Sequence, residues 1–283
     1  MNGLIKAEFR KIFTTNLWWA LLIPVVVLSF LAGWGGTEFG QMNLIRQATG
    51  GRDLPTGLLT MSLSTNYVTV FAALLGALAM AGEYRNKTAT TTFLTANPRG
   101  AVLGAKLIAY TNIALIYGIA NTAFASLGGL LGAGSDGFGE FAQWLMVGGT
   151  GLLSMVLWTL LGVGFGAMVT NSVVAVLVLL GYVLVFEGMI SAGMSNSTLG
   201  WVSNYLPGAA SNGIVSNLSV PMFISDVAGE REPMVSETAY RLLHSVFGGS
   251  YDFPWWASLL IFAGYAAVFV AGGWLVSNKR DVT

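Results

Sequence analysis

Apolar residues in this chain come in long runs, and the charged residues are confined to the gaps between them. About 20 apolar residues in a helix cross the hydrocarbon core of a bilayer, so charge-free runs count the spans. The run 12–37 predicts a first span, best placed at 17–35. The run 54–82 predicts a second at 64–82, and 107–135 a third at 107–131. Residues 141–186 carry no charge and are too many for one span. They break at the polar turn Thr170-Asn171-Ser172, which predicts a fourth span at 143–168 and a fifth at 173–190. The run 253–278 predicts a sixth at 254–276. Residues 188–225 are also free of charge, but Ser, Asn, Gly and Pro interrupt them throughout, so no full span is predicted there. The stretch opening at Tyr205-Leu206-Pro207-Gly208-Ala209-Ala210 reads as a short re-entrant or interfacial helix, and Glu237 to Leu243 as a further short helix. Irregular backbone at membrane depth is tolerated only inside protein or beside a water-filled cavity. The expected fold is all-α: one transmembrane domain over 1–283, with six transmembrane helices and short re-entrant or external helices before the last span.

Residues 1–16 carry a different pattern. Leu4, Ile5, Phe9, Ile12 and Phe13 share one side of a helical wheel, with Lys6, Arg10 and Lys11 largely opposite. This predicts an amphipathic helix lying in the cytoplasmic interface. Glu8 intrudes on the apolar side. The plainer reading is a basic flank that sets topology. A cleaved signal peptide is not expected, because the apolar run is too long and no small-x-small cleavage site ends it.

Composition agrees with the pattern. The chain is 54% hydrophobic and 9% charged, against about 25% charged in a soluble domain, so too few charges exist to cover a globule in water. There is no cysteine, hence no disulfide framework or thiolate chemistry. Glycine is abundant, at 37 residues, which suits close helix packing in lipid. The spacings Gly128/Gly132 and Gly162/Gly166 fit that use within one subunit.

Lys and Arg orient the spans. With the N-terminus inside, cytoplasmic segments hold nine of them: Lys6, Arg10, Lys11, Arg85, Lys87, Arg99, Lys106, Lys279 and Arg280. External segments hold four: Arg46, Arg52, Arg231 and Arg241. Both termini are therefore expected in the cytoplasm. The segment 83–106 becomes the main cytoplasmic loop, and 191–253 the largest external one. Trp18, Trp19, Trp255 and Trp256 fall at expected interfaces, as aromatic belts do.

Catalytic and metal-binding signatures are missing. No H-E-x-x-H and no G-x-x-x-x-G-K-[ST] occurs, so neither a zinc-protease site nor a phosphate loop is present. No catalytic, metal or cofactor residues are expected in this chain. No nucleic-acid partner is expected either. The single histidine, His244, reads as an external surface residue. Glu187 is the one acidic or basic residue placed within a predicted span, near its external end. Intramembrane charges are costly and often functional. Its position leaves two readings: a carboxylate reaching headgroups or water, and a polar site serving a cavity or an interhelical hydrogen bond.

The stretch from Glu83 to Lys106 is the charged island of the chain. Charged and polar residues follow Glu83, then a Thr-rich run of helical length, and Pro98-Arg99-Gly100 breaks it before span three. Glu83-Tyr84-Arg85, the run ending in Phe93-Leu94, Asn97-Pro98-Arg99 and Leu103-Gly104-Ala105-Lys106 resemble the loop between spans two and three of ABC-2 type permeases. Lys6-Ala7-Glu8-Phe9-Arg10-Lys11 resembles that family's opening, and Leu206-Pro207 its segment before the last span. Asn86-Lys87 departs from the smaller, Gly-containing turn of many members.

The resemblance implies the membrane half of an ATP-binding-cassette exporter. It implies a pair of permease subunits, a homodimer in the simplest case, working with two copies of a separate ATPase subunit that binds ATP and Mg. It also implies a coupling helix between spans two and three, where Glu83, Tyr84, Arg85, Lys87, Thr88, Pro98 and Arg99 would meet the ATPase. The expected function is export of an amphipathic or lipophilic substrate (drug, antibiotic, peptide or lipid) across the plasma membrane. The alternatives are an ATP-independent secondary transporter or channel, which usually places ionisable residues near the midplane, and a membrane assembly scaffold.

Overall fold

The computed structural model describes residues 2–40, 56–85, 99–169, 171–194, 200–228, 237–250 and 252–279. The amphipathic N-terminal segment forms α1, Asn2–Thr14. Threonine hydroxyls at its end turn back onto backbone carbonyls, Thr14 to Arg10 at 2.8 Å and Thr15 to Ile12 at 3.0 Å, and the chain then re-enters helix. The apolar runs become α2 (Leu17–Gly40), α3 (Thr56–Arg85), α4 (Arg99–Ala133) and α5 (Phe141–Met168). The fifth run forms Ser172–Gly181 and Glu187–Met194, joined without a break by the π turn Tyr182–Phe186; together these are α6. Then come α7 (Pro207–Ala228), α8 (Glu237–Phe247) and α9 (Trp255–Lys279). No strand occurs among the described residues. Six helices, α2 to α6 and α9, are long and apolar enough to cross a membrane, so the chain is an all-α, multi-pass membrane protein.

Local chemistry sets several starts. Glu140 and Gln143 form a reciprocal capping box ahead of α5. Asn171, in the polar turn that divides the 141–186 run, accepts from the Val173 amide at 2.9 Å and starts α6. At about 1.5 Å per residue the 30-residue α3 and 35-residue α4 are about 45 and 52 Å long. Both therefore project beyond a hydrocarbon core of about 30 Å. This length changes the picture of the charged island: 83–85 is the last turn of α3, and 99–106 forms the first two turns of α4.

α3 is enclosed by neighbours over most of its length, whereas α2, α6 and α9 keep most of their surface outward. Small residues let the backbones meet. A Cβ on Gly162 or Gly166 of α5 would overlap the carbonyl groups of Ala73 or Ala77 in α3, and one on Gly76 would overlap Thr159. The second glycine pair packs likewise within the chain: Gly128 lies against Phe30 and Trp34 of α2, and Gly132 against Thr37. Polar side chains inside the bundle find each other. Asn121 accepts from Ser29 at 2.8 Å and Ser64 at 2.5 Å and donates to Thr65 at 2.9 Å, tying α2, α3 and α4 together.

α7 enters the bundle from the end opposite α1, here termed the far end. Its first turn lies beside the middle of α5, where the Trp158 indole donates to Ser211 at 2.6 Å and Ser154 meets the same hydroxyl at 3.0 Å. Its last turns, at Val220 and Ile224, pack on Leu59 near the start of α3. Most of the segment 191–253 is thus helix folded against the bundle. His244, expected at the surface, is buried in α8 with only 6% of its surface exposed. The reason is the turn that follows: Gly248 and Gly249 both adopt φ of 84°, the left-handed region that favours glycine, and fold the chain back over the imidazole.

Candidate functional site

Two groups of buried charge stand out, one at the α1 end of the bundle and one level with the middle of α5. The first joins α1 to the base of α3 and α4. Lys106 is the buried centre, with its side chain 1% exposed. Its Nζ donates to Glu8 Oε2 at 2.6 Å and to Glu83 Oε1 at 3.1 Å, and lies 5.5 Å from the centre of the Tyr110 ring. Lys11 reaches the same carboxylates, 2.8 Å from the other oxygen of Glu8, Oε1, and 2.8 Å from Glu83 Oε1, the oxygen it shares with Lys106. The cluster holds two cations and two anions, so it is neutral as a unit and can sit at the edge of an apolar region. A buried charge survives only when paired and hydrogen-bonded.

The electrostatics follow from that pairing. Burial alone would push the Glu8 carboxyl up, but the Lys106 charge and hydrogen bond, and then Lys11, hold it below its ordinary 4.5. Burial alone would lower Lys11, yet its bonds to Glu8 and Glu83 raise it above 10.5. Glu8 and Lys11 are therefore both charged across the neutral range.

This arrangement explains the acid on the apolar face of the N-terminal helix. Glu8 is not a flaw in the pattern; it is aimed inward at Lys106. The signal was legible in principle, since an acid on an apolar stripe demands a buried cation. Its partner was hidden because Lys106 reads as an end-of-loop charge. Glu83, expected to face a partner protein, is engaged inside the chain. Tyr84 meets Ser277 of α9 at 3.3 Å through its hydroxyl. Arg85 is the last residue of α3 and Arg99 the first of α4. Lys87, Thr88 and Pro98 lie outside the described residues.

The second group is Glu187. Its carboxyl oxygens accept from the first amides of the re-entrant helix, Gly208 at 2.9 Å and Ala209 at 2.6 Å. These are orphan donors of a helix N-terminus, whose positive end favours an acidic partner. The site depends on two local features. The π turn carries the chain from Tyr182 into Glu187, and the Tyr182 hydroxyl hydrogen-bonds the carboxyl as well. Gly208 leaves room: a Cβ there would sit 2.5 Å from Glu187 Oε2. Of the two readings of Glu187, the structure supports the interhelical hydrogen bond. Glu187→Ala should leave two amides unpaired in the bundle, at about 1–3 kcal/mol for each buried group. We expect a lower unfolding temperature and faster amide exchange over 207–212. Glu187→Gln, which keeps one acceptor oxygen, should fall between. Equal exchange in Glu187→Ala and the parent chain would remove this role.

Comparison with models of known families and with curated proteins returned no match.

Proposed function

We propose that this chain is the permease subunit of an ATP-driven exporter of the ABC-2 type. The observation that carries the reading is the four-charge cluster. It fastens α1, the last turn of α3 and the second turn of α4 into one block. The segment 86–98 leaves and re-enters that block directly. A partner that grips 86–98 therefore pulls on two spans and the N-terminal helix at once. Differential contacts of that kind are what a ligand-driven change of state requires.

In this reading α1 and segment 86–98 face the cytoplasm, in keeping with the nine-to-four distribution of Lys and Arg. Both termini are cytoplasmic, and the membrane is the plasma membrane. Two copies of a separate ATPase supply ATP and Mg chemistry, because this chain has no phosphate loop. A second permease copy, as a homodimer, completes the pathway. The cargo is amphipathic or lipophilic, because few charged groups exist at span depth to receive a strongly polar one.

The test is recovery of the intact chain from its native membrane in mild detergent. A phosphate-loop ATPase should co-purify in a one-to-one ratio with the permease. Arg85→Glu should release the ATPase while the chain stays in the membrane at its usual level. If the chain never retains an ATPase, this reading fails.

A further inference from the structure

An amphipathic helix on a membrane lays its apolar stripe on lipid and holds its charges toward water. α1 is seated differently. Its buried side is made by Glu8 and Ile12, 3% and 2% exposed, and packs on the bundle. Lys6, Arg10 and Phe13 follow one another at steps of four and three residues, so they form one stripe on the opposite side. All three are exposed, Phe13 with 52% of its surface.

The charge on this stripe is unbalanced because the fold turns the acids inward. Glu8 is the one acidic residue of α1, and it is spent on Lys106 and Lys11. α3 and α4 together add one more acid, Glu83, held in the same cluster. Lys11 and Lys106 balance these two carboxylates. Lys6 and Arg10 take part in none of the ion pairs among the described residues. The stripe therefore carries two cations and no anion.

Its aromatic end leads into a span. Phe13 stacks on Phe9 at 6.2 Å and meets Trp18 of α2 edge-on at 5.4 Å. Trp19 beside it is exposed, and so are Ile23 and Val27 at the next two steps of four residues. Cations, then aromatics, then exposed aliphatic side chains follow one another from α1 into α2. Phosphates, interface and hydrocarbon follow in the same order across a leaflet.

We propose that the Lys6–Arg10–Phe13 stripe docks anionic phospholipid in the leaflet beside α1. The Arg10 guanidinium takes a phosphate through paired N–H donors, and Lys6 adds a point charge one turn away. Phe13 sits at the interface below them, beside Trp18 and Trp19. A choline lipid presents the same phosphate with a cation of its own, so it gains little from the stripe. A protein partner here would have to be acidic and cover Phe13; continuity with the exposed apolar side of α2 favours lipid. The docking needs the seating of α1 and no ATPase, so it stands apart from the exporter reading.

The chain has no cysteine, so Ala7→Cys, at an exposed position beside the stripe, takes a single bimane fluorophore. The labelled full-length chain is placed in phosphatidylcholine nanodiscs at low salt. A small share of phosphatidylglycerol or of phosphatidylcholine, spin-labelled near the headgroup, then serves as quencher. Phosphatidylglycerol should be enriched at the fluorophore about twentyfold over phosphatidylcholine, from about fivefold for each cation. The preference should fall as salt rises. Lys6→Gln and Arg10→Gln should each cut it about fivefold and together remove it, whereas Arg10→Lys should keep it. Both positions are exposed, so all these variants should unfold at the parent temperature. Equal quenching by the two lipids in the parent chain overturns the lipid site, as does a preference that survives the double substitution. If the double variant keeps that preference but loses a protein bound in the native membrane, the stripe belongs to a protein partner instead.

Discussion

Lys106→Met should be among the most damaging single substitutions in this chain. Methionine matches the length of the lysine stem, so packing is nearly preserved and charge is the variable. The change leaves Glu8 and Glu83 facing each other with one cation, Lys11, whose side chain is 40% exposed. Removing one partner of a buried pair costs about 3–5 kcal/mol, because a charge is left uncompensated. That is a large share of the roughly 5–15 kcal/mol by which folded proteins are stable. We expect a sharp loss of folded chain in detergent and a lower unfolding temperature for what remains. The charge argument predicts its own rescue. Lys106→Met combined with Glu8→Gln restores one cation to one anion, with the 2.8 Å Lys11–Glu83 bond intact. The double variant should recover most of the stability. Equal stability of Lys106→Met and the parent would mean that the cluster contributes nothing.

The same cluster sets a pH window. Glu8 is held below 4.5, so its contribution is complete above about pH 4.5 and is lost as pH falls through the folded value. Lys11 is held above 10.5, so its contribution is complete below that value and is lost as pH rises through the folded one. These two groups should leave stability flat between the two limits. A stability loss centred near neutral pH would have to come from elsewhere.

Gly162→Leu should separate α3 from α5. A Cβ at this position already overlaps the Ala73 carbonyl, and the clash is with backbone, which cannot rotate away. Overpacking costs about 1–3 kcal/mol where side chains can adjust, and here the helix itself must move. In lipid no hydrophobic force draws the pair back, because association rests on close van der Waals contact. The displaced helix is α3, the enclosed centre of the bundle, so the effect should spread to Thr159, whose hydroxyl reaches the Ala72 carbonyl at 3.3 Å. Gly149→Ala is the control. It lies on the same helix with nothing within 4 Å, and it should be neutral or stabilising by about 1 kcal/mol through helix propensity. Similar unfolding curves for the two variants would show that α3 and α5 are not packed this closely.

Much of the architecture was legible because lipid imposes a simple rule. A backbone in hydrocarbon must satisfy its own hydrogen bonds, so apolar runs become helices and polar turns mark their ends. The break at Thr170-Asn171-Ser172 follows from composition, and Asn171 caps the next helix there. The helix lengths were less legible. α3 begins at Thr56 and α4 at Arg99, each eight residues ahead of the span placed from hydropathy. A helix does not stop where hydrocarbon does when its next turns find protein to pack on.

The candidate sites were legible only in part. Glu187 was conspicuous as a charge in an apolar run, but its role rests on two amides 21 and 22 residues later. Glu8 was conspicuous for the opposite reason, an acid on an apolar face. Lys106 and His244 carried no sign of burial, because a charge at the edge of a run and a histidine in a polar segment both read as solvated. The sequence by itself determined that the chain is a helical membrane protein with six apolar helices, since the cost of an unpaired backbone group in lipid acts on each segment alone. Which charges neutralise one another, which glycines bring backbones together and where the re-entrant helix is seated were decided by the tertiary structure. Those outcomes are differences between pairs of groups far apart in the chain, and no local pattern contains both partners.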